Sequence, residues 1–172
     1  MKLKIKPTNE ERFLQDDEII VSKTDTQGRL TYANETLIAV SGFHEDELLG
    51  QQHNIVRHPD MPRGVFKLLW DTLQAGEEFN GYVKNLRKDG AFYWVFANIT
   101  PSYDSSGKLI GYYSVRRKPR KEALSIIKPL YEKMLAAEKE IGSKGAIATS
   151  IALLNDLLNE KGVSYDEFTC TL

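Results

Sequence analysis

Residues 50–66 read GQQHNIVRHPDMPRGVF, and four side chains able to accept, donate or carry charge (His53, Arg57, His58 and Asp60) crowd this stretch. Pro59 and Pro62 stop a helix from running through them. Three chemistries fit such a cluster: catalysis, metal ligation, or a rim that binds an anion. Zinc needs three or four convergent ligands, which two histidines and one aspartate do not establish. The one cysteine, Cys170, lies near the far end of the sequence, so neither a thiolate metal set nor an intrachain disulfide is available. No serine or cysteine nucleophile stands in an elbow or triad context, and no glycine loop is built to cradle phosphates. The chain is therefore not read as an enzyme. Arg57 is permanently charged and fork-shaped, which suits a diphosphate, with His58 as a second donor. The competing reading is an Arg57–Asp60 ion pair bracing an exposed loop. Asp60 also stands where it would cap the helix that follows. On balance the cluster reads as the lip of a binding cleft that meets phosphates from outside.

The rest of the composition limits what can lie behind that lip. The chain has 172 residues, enough for one domain with an appendage. Apolar residues make up 41% and charged residues 27%, which specifies a packed core rather than disorder. The formal net charge is -1, so no overall field draws the chain to nucleic acid or an acidic membrane. No apolar run approaches the roughly 20 residues of a membrane span. The start, MKLKIKPTNEERF, has the charge of a signal sequence without its apolar stretch. The expectation is a cytoplasmic protein without membrane insertion, and the last residues, DEFTCTL, read as a natural end.

The elements that must position the cluster follow from periodicity. Residues 1–17 form an N-terminal cap segment, with a short helix expected after Thr8 or Asn9. EIIVSKTDTQGRLTYAN reads as a hairpin turning at Asp25–Gly28. Two short helices follow, ending at Gly42 and Gly50. Val65, Phe66, Leu69, Trp70 and Leu73 then give one broad helical face. Three β-rich runs joined by the turns KDG and DSSGK specify an antiparallel meander. The reading is an α+β domain over 18–119, a five-stranded antiparallel sheet with helices on one face. Residues 120–172 form a C-terminal extension of two amphipathic helices, with Pro129 either kinking the first or marking a first turn. If Asn85 points inward, so do Val83 and Gly81, and Gly81 leaves space near a flat ligand. Asn34 is placed to cap the following helix, and Trp70 sits on an apolar face where a core role is the simplest reading.

That order of elements, with "YAN" followed by "SG", "HNIVRHPDMP", "LW..L..G", "G..KN.RK.G..YWV.AN..P" and "GY.S.R", resembles the PAS sensor domain of bacterial aerotaxis receptors over residues 17–118. The resemblance implies a PAS fold that binds FAD non-covalently and reports redox or oxygen state to the chemotaxis machinery. Asn34, Arg57, His58, Asp60, Trp70 and Asn85 stand where that family has its flavin-associated residues. Phe79 stands where the family often has a tryptophan, keeping an aromatic ring without the indole. Asn85 would then meet the flavin's pyrimidine edge and Arg57 its pyrophosphate. The related light-oxygen-voltage domains carry a reactive cysteine at a place that falls near His53 here, so a cysteinyl-flavin photocycle is not expected. The implied partner is a chemoreceptor-like signalling protein on a separate chain, with the C-terminal helices as docking elements and a homodimer as a further possibility. The alternative is a cofactor-free or haem-binding PAS module, with His53 or His58 as axial ligand, acting in interaction or dimerisation.

Overall fold

The computed structural model describes residues 5–172. Its first hairpin pairs β1 (Ile20–Thr24) with β2 (Leu30–Ala33). The turn is held by Asp25, whose Oδ1 accepts from the Gln27 and Arg29 amides at 2.9 Å each. Then come α1 (Glu35–Ser41), α2 (Glu45–Leu48), a 3-10 turn at His53–Val56 and α3 (Arg63–Gln74). The meander β3 (Phe79–Leu86), β4 (Phe92–Tyr103) and β5 (Leu109–Arg117) completes one antiparallel sheet in the order β2-β1-β5-β4-β3. This is the α+β architecture expected from the sequence. Register fixes which side chains face the helices. Pairing of Asn85 with Tyr93, Ala97 with Arg116 and Ile99 with Ser114 puts these on the inner face, together with Ser22 opposite Ser114.

Residues 5–17 form no helix. The Thr8 amide donates to the Gly90 carbonyl and Arg12 to the Phe92 carbonyl, both at 2.8 Å, while the Phe92 amide donates to the Glu10 carbonyl at 2.9 Å. The pairing of β4 with β5 begins only at Phe96, so the edge of β4 at Phe92 is open and receives this segment. A one-turn helix, marginal by itself, loses to an edge that satisfies backbone groups directly.

The C-terminal extension holds three helices, α4 (Lys121–Ile141), α5 (Ala146–Lys161) and α6 (Tyr165–Thr171), and α4 runs through Pro129. The third was not expected, although Ser164 and Glu167 make a reciprocal capping box at its start. These helices close the free edge of β3. Thr169 Oγ1 donates to the Asn80 carbonyl at 2.9 Å, and Tyr131 donates its hydroxyl to the Tyr82 carbonyl at 2.8 Å. Ile127, Tyr131, Met134, Leu154, Leu158 and Phe168 are all buried. The apolar stripes expected to dock a partner are thus spent on this chain's own sheet edge and on α3. Among the described residues, no helix is long and apolar enough to cross a membrane.

Candidate functional site

A cavity of about 200 Å³ lies between the inner face of the sheet and α3. Leu69, Leu73, Val83, Ala97 and Ile99 supply its apolar walls, and Trp70 packs edge-on against Tyr112 with centroids 5.5 Å apart. Its polar atoms are unusual. Thr24 Oγ1, Asn85 Nδ2, Ser114 Oγ, and both Nε and Nη1 of Arg116 are buried without a protein partner. An unpaired buried polar atom costs about 1–3 kcal/mol, and more when charged. Five such atoms around one apolar slot leave hydrogen-bonding capacity that a ligand with polar edges and apolar faces would satisfy.

Arg116 is the centre of this arrangement. It is 2% exposed, and its remaining nitrogen, Nη2, donates to Ser22 Oγ. Burial pushes the guanidinium down to about 10, so it stays charged at neutral pH. Ser22 Oγ also lies 3.2 Å from His53 Nε2. Burial, and secondly the charge on Arg116, push His53 down to about 3, which keeps its ring neutral. Sequence reasoning missed Arg116, Ser114 and the cavity position of His53. The signal was present in strand parity, since Tyr112, Ser114 and Arg116 alternate along "GYYSVRR" and share one face.

Of the residues singled out from the sequence, Asn85, Arg57 and Trp70 line this cavity. Asn85 is 3% exposed, and its backbone bridges to that of Arg57, joining the rim to the strand. Arg57 forms no pair with Asp60. Its guanidinium lies over the Phe66 ring at 3.8 Å, and Asp60 pairs with Lys84 at 2.9 Å. Trp70 is a wall at the cavity mouth, 37% exposed, rather than a core residue. Asp60 does not cap α3, whose Gly64 amide donates instead to Glu138 of α4 at 3.1 Å.

His58, Phe79 and Asn34 stand outside the cavity wall. His58 is buried edge-on to Phe92 and accepts from the Asp60 amide at 3.0 Å. Phe79 stacks on Tyr165 of α6 at 5.5 Å. A Cβ at Gly81 would come within 2.7 Å of both the Phe79 ring and the Tyr165 hydroxyl, so Gly81 makes room for α6 rather than for a ligand. Asn34 caps α1 by accepting from the Leu37 amide at 3.0 Å, and ties α1 to β1 through Val21 and Ile19.

Outside the cavity runs a groove of about 830 Å³ that shares Asn54, Arg57, Phe66 and Trp70 with it. Its outer wall comes from α4 and α5. Among the described residues, no group of three or more metal-ligating side chains converges.

The single antiparallel sheet, the helices on its inner face and the cavity between them define an α+β domain with an internal cleft. The family model of the PAS fold matches residues 30–116, and the chain belongs to that family. It is 45% identical over 129 residues to the aerotaxis receptor of Escherichia coli, a match covering 75% of this chain and 25% of the receptor. It is 28% identical over 151 residues to the biofilm dispersion protein of Pseudomonas aeruginosa, covering 86% of this chain and 33% of that protein. The chain thus spans a third or less of the length of these two relatives. Among solved structures, a light-oxygen-voltage domain studied with a flavin analogue superposes with a TM-score of 0.57 at 21% identity, over 67% of this chain and 86% of that one.

Proposed function

We propose that this chain is a PAS redox sensor that holds FAD non-covalently and reports redox or oxygen state to a chemoreceptor-like partner by protein contact. The observation that carries the reading is the set of unpaired buried polar atoms at Asn85, Ser114, Thr24 and Arg116 around an apolar slot. A flavin ring presents amide-like donors and acceptors along one edge and apolar faces elsewhere, which is the complement of this wall. A bound flavin supplies reversible uptake of electrons and protons. Asn85 can donate and accept at the ring edge, because an amide has both functions. Arg116 stabilises negative charge at the ring, and the neutral His53 adds no competing cation. A cavity of about 200 Å³ is smaller than typical whole-ligand sites of about 300–1,000 Å³, so it takes the ring and leaves the dinucleotide tail to the groove. Arg57 stands between the two. Its backbone bridge to Asn85 gives a direct route from the ring edge to the surface. Haem finds less support, because Ser22 engages His53 Nε2 and His58 lies outside the cavity wall.

The test is the cofactor itself. The 172-residue protein, purified and then denatured, should release FAD at one molecule per chain. A colourless protein that stays colourless after incubation with FAD overturns the proposal. Arg57→Ala should weaken FAD by about tenfold or more, the loss of a charge-assisted contact, while leaving the thermal unfolding of the apoprotein nearly unchanged. Full FAD occupancy in that variant would remove Arg57 from the pyrophosphate site.

A further inference from the structure

The outer groove is not made by the PAS core alone. Arg57, Arg63 and Phe66 form one side, and Leu135, Lys139, Ser143 and Ile147 of the α4–α5 hairpin form the other. The hairpin is seated firmly. Glu138 accepts from the Gly64 amide at 3.1 Å, and an ideal Cβ on Gly64 would lie 2.6 Å from Ser150 Oγ, so α5 rests directly on α3. The groove between them is therefore a built cleft with fixed walls.

Its charge is lopsided. Lys67 is neutralised by Asp71 one helical turn on. Arg57, Arg63 and Lys139 make no ion pair among the described residues, and Glu138 is the remaining carboxylate on the wall. Three cations facing one carboxylate suit a ligand carrying about two negative charges, as a diphosphate does. Beside these cations Ile147 is 39% exposed and Leu135 half-buried, an apolar patch inside a charged groove. Cations next to an apolar seat, continuous with a ring-sized cavity, match an adenosine diphosphate tail.

We infer that the α4–α5 hairpin is part of the cofactor site: Lys139 meets the diphosphate opposite Arg57, and Leu135 and Ile147 seat the adenine. This inference rests on the flavin reading and extends it. The C-terminal extension then selects FAD over shorter flavins.

The experiment titrates the 172-residue apoprotein with FAD and with riboflavin, which lacks the phosphates and the adenosine, and compares the wild type with Lys139→Glu. Lys139 is exposed, so the variant keeps the fold, with a urea melt as control. The wild type should bind FAD at least tenfold more tightly than riboflavin. Lys139→Glu should lower FAD affinity about tenfold and leave riboflavin within about twofold. Unchanged FAD binding in the variant, or equal losses for both ligands, overturns the assignment of the hairpin while leaving the flavin reading intact. A wild type that binds neither ligand overturns the flavin reading, and this one falls with it.

Discussion

Arg116→Met should make the empty protein more stable and the flavin-binding protein worse. The guanidinium is fully buried, two of its nitrogens have no partner, and its charge is opposed by no buried carboxylate on the cavity wall. Replacing it with an apolar chain of similar length removes that cost, and apoprotein stability should rise by about 1–3 kcal/mol in urea melts. Flavin affinity should fall by about tenfold to a hundredfold, one charge-assisted contact. Arg116 also favours the more negative, reduced ligand, so its loss should lower the midpoint potential by about 30–60 mV for a two-electron couple. A purely structural Arg116 gives the opposite sign of the first effect, destabilisation, and no shift in potential. Stability given up at a site in exchange for function is a common trade.

Gly111→Ala should have the largest effect on the fold itself. Gly111 lies in β5 with φ 157°, and a Cβ there would overlap the Thr24 carbonyl oxygen. The neighbouring pair Thr24–Tyr112 joins β1 to β5, and both residues line the cavity. The backbone cannot step aside without parting those strands, so the loss should be about 3 kcal/mol or more. Flavin should be lost together with the cooperative unfolding transition. Gly107, in the β4–β5 turn at φ 79°, is the control. Open space surrounds it, and Gly107→Ala should cost only the left-handed backbone strain of about 1–2 kcal/mol. Equal melts for the two variants would mean that β1 and β5 are not tightly apposed at Gly111.

Much of the core was legible because local chemistry and tertiary structure agree there. Alternating apolar residues and Asp/Gly turns define β1 to β5, and the apolar face around Leu69 and Leu73 defines α3. The misses have a common cause: in each, a long-range partner decides. Residues 8–12 pair with Gly90 and Phe92 because β4 outruns β5, which no local propensity reports. Phe79 looks inward by parity, yet Tyr165 of α6 claims its ring. Asp60 has the position of a cap, but Lys84 takes the carboxylate and Glu138, from a helix far along the chain, takes the helix amide. For the site, the motif around Arg57 and Asn85 located the rim. Arg116 was hidden in a basic strand end, "SVRR", where an inward arginine is distinguished from its outward neighbour only by parity.

The central claim is that the cavity between β5, β3 and α3 holds a flavin ring with the dinucleotide tail in the adjoining groove. The most direct measurement is a crystal structure of the 172-residue protein grown with FAD. The ring's pyrimidine edge should lie within hydrogen-bonding distance of Asn85 and Arg116, with the diphosphate between Arg57 and Lys139. A structure in which that cavity is closed by Trp70 and Phe66, with FAD absent or bound elsewhere, would contradict the account.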